Sequence, residues 1–358
     1  MAKKVLQIIG SMNIGGAETF LMNLYRNIDK EKIQFDFVVH KNENAYEEEI
    51  KKLGGKIYKI TSISKNPIKH IIELKDILKE NKYEIIHRHT ASAIIFIDLL
   101  TAKICGVKKI ICHSHNSKVS KGKFLHKIIK VFLNKLSDIK LACSKEAGIH
   151  LYGKYSNFQI INNGIEISKF LFKKNIREER RKKYKLEDKF VISHIGSFKE
   201  QKNHKFLLEI FEELLKLNKN SVLILMGEGE LKEKIKKQAK EKRLNEKVMF
   251  LGNIKDTYNI LQATDIFLFP SLYEGLSVAL VEAQISGLNC LISDTQSPSS
   301  KIADNLYTFS LKSSPRQWAE KIIKISKESK RKIDLEDEKI KEFDIKYIAK
   351  KMEKLYLD

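Results

Sequence analysis

Ile266-Phe267-Leu268-Phe269-Pro270-Ser271-Leu272-Tyr273-Glu274-Gly275-Leu276-Ser277-Val278-Ala279-Leu280-Val281-Glu282-Ala283 passes from an apolar tetrapeptide through a proline-marked turn into a helix-forming segment with two carboxylates. Ile266–Phe269 reads as a core strand, and Pro270, which cannot donate to a sheet ladder, stops it. After the turn, Glu274-Gly275-Leu276-Ser277 can start a helix whose free backbone N–H groups point at an anion. Glu282 follows about two helical turns later, where it can accept hydrogen bonds from hydroxyls. An anion site beside a polyol site describes a sugar nucleotide. The bland alternative is an amphipathic helix with two solvated glutamates; the strand before the pair and the apolar run Cys290-Leu291-Ile292 after it weigh against that reading.

Outward from this stretch, strand-like and helix-like runs alternate throughout. Residues 5–9, 35–39, 85–87, 110–113 and 139–143 form one strand series; residues 190–195, 222–226, 248–251, 266–269 and 288–292 form a second. Such alternation implies an α/β protein with parallel sheets covered by helices on both faces. With 358 residues there is room for two separate cores. The joint is expected at Ile160-Ile161-Asn162-Asn163-Gly164-Ile165-Glu166, where Asn-Asn-Gly breaks the pattern, giving doubly wound domains over 1–164 and 165–340. Phe343, Tyr347, Ile348, Met352 and Leu355 recur near helical spacing, so the tail is expected to be a docked helix.

Met1-Ala2-Lys3-Lys4 runs directly into the first strand without a secretory apolar region, and no apolar run approaches the roughly 20 residues that span a bilayer, so a cytoplasmic location is expected. Cys105, Cys112, Cys143 and Cys290 show no metal spacing and lie in apolar segments, as reduced buried thiols would. A net charge of +22 invites a nucleic-acid reading, but only eight of the 67 basic residues are arginine, the residue that reads bases bidentately. The excess lysine still gives a positive field that attracts sugar nucleotides and anionic membrane surfaces.

Glu274-Gly275-Leu276 to Glu282-Ala283-Gln284, followed by Ser286-Gly287, resembles the E-x7-E signature of the retaining family-4 glycosyltransferases, in their bacterial capsule, exopolysaccharide and O-antigen branch. The resemblance covers nearly the whole chain. It implies the GT-B fold: two Rossmann-like domains facing across a cleft, acceptor surface on the first, donor site on the second, and a C-terminal helix, here 341–358, crossing back to the first. On the same terms Glu282 would hold the ribose, and Glu274 with the turn amides of Gly275, Leu276, Ser277 and Val278 would meet the transferred sugar.

Other loops fit this frame. Gly10-Ser11-Met12-Asn13-Ile14-Gly15-Gly16-Ala17-Glu18 follows the first strand and opens a helix, and its glycines let amides approach a phosphate closely. It lacks the G-x-G-x-x-G fingerprint, so an NAD site is poorly supported. By resemblance Gly15 and Gly16 face the donor diphosphate; a plain glycine turn is the alternative. His194-Ile195-Gly196-Ser197-Phe198-Lys199-Glu200-Gln201-Lys202-Asn203 resembles the family's G-R-x…K loop. Lys202 matches the lysine that neutralises the departing diphosphate, whereas Ser197 stands in the arginine's place. Met226-Gly227-Glu228-Gly229 and Phe250-Leu251-Gly252-Asn253 end strands with glycine; by resemblance they flank the base, although ordinary strand-to-helix turns look the same. His113-Ser114-His115-Asn116 closes a strand at the sheet edge where ligands bind. His115 aligns with the family's histidine near the sugar, with a structural histidine as the alternative. His87-Arg88-His89 reads as structure, capping a turn, or as acceptor contacts.

Residues 117–137 contain no acid; Leu125, Ile128, Ile129, Phe132, Leu133 and Leu136 form a stripe among Lys118, Lys121, Lys123, Lys127, Lys130 and Lys135. The segment can pack on the first sheet or rest on an anionic leaflet. Taken together, the resemblance implies a retaining enzyme that moves a sugar from a nucleotide-sugar, UDP-linked, to a hydroxyl of a lipid-linked saccharide at the inner face of the cytoplasmic membrane. Lysine and helix-terminal amides stand in for a metal, so no metal or other cofactor is expected. A sugar-nucleotide epimerase of the same architecture is the alternative, and a basic nucleic-acid-binding protein the non-enzyme one.

Overall fold

The computed structural model describes residues 2–90, 92–115, 123–254, 256–274, 276–328 and 331–358, with the side chains of 123–128 excepted. The chain divides into two compact units, Met1–Ile165 with Glu342–Asp358, and Glu166–Lys341.

The first unit holds a seven-stranded parallel sheet: β1 (Lys3–Ile8), β2 (Ile33–Val39), β3 (Ile57–Lys59), β4 (Ile85–Thr90), β5 (Lys109–Ser114), β6 (Ile139–Ala142) and β7 (Gln159–Ile160), in the order β3-β2-β1-β4-β5-β6-β7. The second holds six: β8 (Phe190–Ile195), β9 (Ser221–Met226), β10 (Val248–Gly252), β11 (Ile266–Phe269), β12 (Asn289–Ser293) and β13 (Leu306–Phe309), in the order β10-β9-β8-β11-β12-β13. In each, the strand order reverses beside the unit's first strand, at β1/β4 and at β8/β11. Such switch points open a crevice at the carboxyl ends of the strands. The central strands β9, β11 and β12 are largely apolar and buried on both faces, as parallel sheets covered by helices require.

The tail forms the helix Ile345–Leu357, started by Asp344, whose side chain accepts from the Lys346 amide. Ile345, Ile348, Ala349, Met352 and Tyr356 are its buried face, packed into the core of the first unit with Phe20, Tyr25 and Phe35. Ile165 brings the two passages of the chain together: its amide donates to the Phe343 carbonyl at 2.9 Å and its carbonyl accepts from the Ile345 amide at 3.0 Å.

Two expectations are corrected. The helix after β11 starts at Val278 rather than at Glu274, with Ser277 as its N-cap, because the preceding residues are drawn into a turn held by the loop after β8. His87 and His89 are not turn caps; they lie within β4, their rings inside the first unit.

Candidate active site

In the second unit, the loops following β8 and β11 are laced together. The Leu272 amide donates to the Gln201 carbonyl at 2.8 Å, Gln201 Nε2 donates to the Tyr273 carbonyl at 2.9 Å, and Asn203 Nδ2 donates to the Pro270 carbonyl at 3.1 Å. Asn203 adopts a left-handed conformation (φ 56°), which turns the chain from the short helical turn Glu200–Lys202 into the helix His204–Leu217. This lacing places Lys202 Nζ 2.6 Å from Glu274 Oε1 and 4.6 Å from the centre of the Phe269 ring. Both side chains are about seven-eighths buried, so the pair stands at the switch point, largely shielded from water.

The backbone around the ammonium is glycine for a reason. A Cβ on Gly196 would stand 3.0 Å from Lys202 Cε and 2.9 Å from His194 Nε2. Gly227 (φ +140°) would press a Cβ to 2.1 Å from the Gly196 carbonyl oxygen. The Gly227 amide donates to the Gly252 carbonyl at 2.8 Å, and the Gly196 amide to the Met226 carbonyl at 2.9 Å, so the ends of β8, β9 and β10 meet as one glycine-lined edge. Gly252 itself is left-handed (φ +67°). Ser197 is exposed at the rim of this edge, and no arginine substitutes for it in the loop.

The helix Val278–Ile285 begins beside the pair, and Ser277 makes no side-chain cap to it. Its first amides and the Ser277 hydroxyl are therefore not spent on each other. Leu276, Ser277 and Val278 are half-buried; Gly275 lies outside the described residues. On the same helix Glu282 is buried, its Oε2 accepting from Thr257 Oγ1 at 3.3 Å. Burial pushes its carboxyl up to about 7, the Thr257 hydroxyl pulling the other way. A carboxylate held in so dry a place gains from hydroxyl donors brought by a ligand. Thr257 was not legible as its partner, because it belongs to the helix Thr257–Ala263, far away in sequence.

In the first unit, Gly15 precedes the helix Gly16–Asn27 and makes no side-chain cap. The Glu18 carboxylate folds back over this turn, its Oε2 only 2.4 Å from where a Cβ on Gly15 would stand. The turn is also pinned by the Met12 amide to Asn44 Oδ1 at 2.7 Å and the Ala45 amide to Asn13 Oδ1 at 3.0 Å. His115 follows β5, its Nε2 2.8 Å from His89 Nδ1, while His89 Nε2 is 2.9 Å from Gln7 Oε1. Burial holds the His115 imidazole down at about 4, with the Asn163 side chain opposing, so it is neutral at pH 7.

A cavity of about 660 Å³ lies elsewhere in the second unit, lined by Arg177, Arg181, Asp265 and Arg331. Those guanidinium groups are committed to Asp265 and to the carbonyls of Gln262, Ala263 and Thr264, which makes it a helix-end brace rather than a reaction site. Of the lysine-rich stripe, Lys118, Lys121, Lys123, Lys127, Leu125 and Ile128 fall outside the described side chains; Leu133 is buried, but Phe132 is 54 % exposed, so the stripe does not pack as one face.

Residues 14–169 match the family described as Glycosyltransferase Family 4, and residues 175–342 that described as Glycosyl transferases group 1. The putative glycosyltransferase EpsF of Bacillus subtilis is 37 % identical over 89 % of this chain and 87 % of its own. The capsular polysaccharide biosynthesis glycosyltransferase CapH of Staphylococcus aureus is 27 % identical over 99 % of this chain and 98 % of its own. The Escherichia coli UDP-Gal:alpha-D-GlcNAc-diphosphoundecaprenol alpha-1,3-galactosyltransferase is 30 % identical over 63 % and 62 %. In fold, Anabaena HepE in complex with UDP and glucose matches with a TM-score of 0.82 at 15 % identity, covering 99 % of this chain and 100 % of that one.

Proposed function

The chain belongs to the family-4 glycosyltransferases and is an enzyme of GT-B fold, and from that premise we propose that it transfers a sugar from a UDP-sugar, with retention of anomeric configuration, to a lipid-linked saccharide in surface-polysaccharide assembly. The observation that carries this reading is the Lys202–Glu274 pair at the β8/β11 switch point, beside a helix start without a side-chain cap. Lys202 and Glu274 neutralise each other. A diphosphate competing for the ammonium frees the carboxylate for sugar hydroxyls, so phosphate binding and sugar binding are coupled at one contact. Lys202 then balances the charge that spreads over the diphosphate as the glycosidic bond breaks, where a fixed cation acts on the transition state more than on the ground state. The amides and hydroxyl of Leu276, Ser277 and Val278 hold a further phosphate or sugar oxygen, and Glu282 accepts from the ribose. Gly252 and Ser197 line the nucleotide's approach, with the Ser197 hydroxyl replacing one arginine contact. The roles of Gly15, Gly16 and His115 of the first unit rest on the family resemblance alone, His115 as a neutral hydrogen-bonding group.

Support for the donor and acceptor classes comes from the printed substrates of the Escherichia coli relative and from the UDP complex of the Anabaena fold neighbour. The epimerase alternative gains nothing from these likenesses. No described helix is long and apolar enough to cross a membrane, and we place the enzyme on the anionic inner leaflet through the lysine-rich 117–137 segment, with the exposed Val131 and Phe132 as apolar contacts. Incubation with a panel of UDP- and GDP-sugars and polyprenyl-diphosphate-linked saccharides, followed by mass spectrometry and NMR of the new anomeric centre, tests the reading. A glycoside of the acceptor formed from a UDP-sugar, with the donor's anomeric configuration and release of UDP, is expected; sugar turnover without acceptor, or an inverted linkage, overturns it.

A further inference from the structure

The first unit contains a second constellation that the transfer reaction does not use. His87 and His89 alternate on one face of β4, and β5 sets His113 opposite His89 in register, so the three rings meet on one side of the sheet. His87 and His113 are parallel with centroids 5.4 Å apart, and His87 lies 4.1 Å from His89. Phe20 and Tyr356 flank the group. All three histidines are 3 % exposed or less.

Stacked neutral imidazoles can be plain packing. What packing leaves unexplained is the nitrogens: His87 Nε2 and both ring nitrogens of His113 are buried without a hydrogen-bond partner. The main chain of Ile161 stands near His113, too weakly placed to count as one. Buried polar atoms are paired in the great majority of cases, and a cluster of exceptions in one place points to a group that belongs between them. One nitrogen from each of His87, His89 and His113 can be chosen so that all three lie within 4.8 Å of one another.

The surroundings are those of metal ligands. His89 Nε2 faces Gln7 Oε1 at 2.9 Å; that oxygen can only accept, so the proton sits on Nε2 and Nδ1 carries the lone pair. His87 Nδ1 lies 2.7 Å from Tyr356 Oη, and with its proton directed there Nε2 presents the lone pair. Metal-binding histidines are oriented in this way by a partner on the other ring nitrogen.

We propose that His87, His89 and His113 form a buried site for one late first-row divalent cation, zinc by chemical class, in the first unit and separate from the donor chemistry. Three neutral imidazoles suit such an ion, which bonds nitrogen strongly enough to offset its burial, and do not suit calcium or magnesium, which take oxygen. Bonds of about 2.0–2.1 Å need the rings to turn inward from their present spacing. The ion also takes the His89 Nδ1 lone pair that His115 Nε2 now faces at 2.8 Å, and this histidine is the one point at which the site adjoins the proposed transfer residues. The metal-free expectation for this chain is thereby confined to the transfer step.

The test uses the untagged full chain, stripped with chelator and titrated with Co2+, including refolding in its presence so that a closed core cannot block entry. The expected result is one Co2+ per chain by mass spectrometry of metals, visible d–d bands of a tetrahedral site with three imidazoles and one solvent ligand, and displacement by Zn2+. His87→Phe and His113→Phe, which keep ring stacking, should abolish the bands. Tyr356→Phe, which removes the hydroxyl that partners His87 Nδ1 and also accepts from Gln7 Nε2, should weaken binding roughly 10- to 100-fold. Wild-type protein that shows no tetrahedral spectrum under either loading overturns the site, whether or not the variants fold. So does a spectrum unchanged in folded His87→Phe and His113→Phe.

Discussion

Both sheets reverse their strand order beside their first strand, yet the β8/β11 edge opens onto an ion pair, a buried carboxylate and a helix start, whereas β4 and β5 carry neutral imidazoles at the corresponding end of the first sheet. Topology is therefore common to the two units and chemistry is not. One edge offers a cation and the amides of a helix start, groups that suit a diphosphate. The other offers lone pairs and N–H groups without net charge, as suits sugar hydroxyls and metal ions. The buried groups of the two units also respond to acid to different extents, and that difference makes the comparison testable.

Acidification should produce the largest effect. His40, His87, His89, His113 and His115 of the first unit are all held below the usual imidazole range, chiefly by burial. Groups with depressed folded values contribute stability that is present above the unfolded value near 6.5 and lost as pH falls below it, at about 1.4 kcal/mol per pH unit for each proton taken up. His70 runs the other way, its bond to Asp98 outweighing burial. In the second unit His194 and His204 are lowered, but Glu282, raised to about 7, relieves its cost as it protonates. Chelator-treated protein should thus lose several kcal/mol between pH 7 and pH 5, and amide exchange should show β4 and β5 opening before β8 and β11. The comparison breaks if the second sheet opens first.

Lys202→Ala should lower turnover by about 10²–10³, the scale for removing one preorganised charge-stabilising group, while uridine binding changes little. An equal loss for uridine and UDP would mean that the lysine braces the loop rather than the diphosphate. Glu282→Gln sharpens the contrast on stability. Because the folded carboxyl is raised to about 7, its cost is absent below about pH 4.5 and grows as pH rises through 7, so the variant should be more stable than wild type by roughly 1–3 kcal/mol at pH 8 and not at pH 4.5. Denaturant titrations at the two pH values read this; a gain independent of pH would remove ionisation as its cause. The smallest effect is at the surface: each lysine of the 117–137 segment near an anionic leaflet contributes about 1 kcal/mol. Glutamate at Lys121, Lys123, Lys127 and Lys130 together should abolish low-salt sedimentation with anionic liposomes, and sedimentation like the parent's by a folded variant ends the membrane-docking reading.

The apolar strands were legible because a fully buried parallel strand reads as a continuous run. Ile57–Lys59, Gln159–Ile160 and Leu306–Phe309 were not, since these edge or near-edge strands are short and partly exposed and offer no such run. The tail helix was readable from its spacing. At the candidate site, Glu274, Lys202 and Glu282 were singled out by their motifs, but not the pairing of the first two, which depends on Gln201 and Asn203 reaching across to the β11 loop. The histidine cluster was invisible as a cluster, because only the β4–β5 register brings His113 against His89.

Calorimetric titration of UDP into wild type and Glu282→Ala tests the central claim, that the Glu166–Lys341 unit holds the nucleotide through its switch-point edge. The account predicts saturable binding to wild type and a loss of roughly 1.5–3 kcal/mol in the folded variant, the range for hydrogen bonds to a charged group. Equal affinity in a folded Glu282→Ala protein, or no UDP binding by wild type, would contradict it.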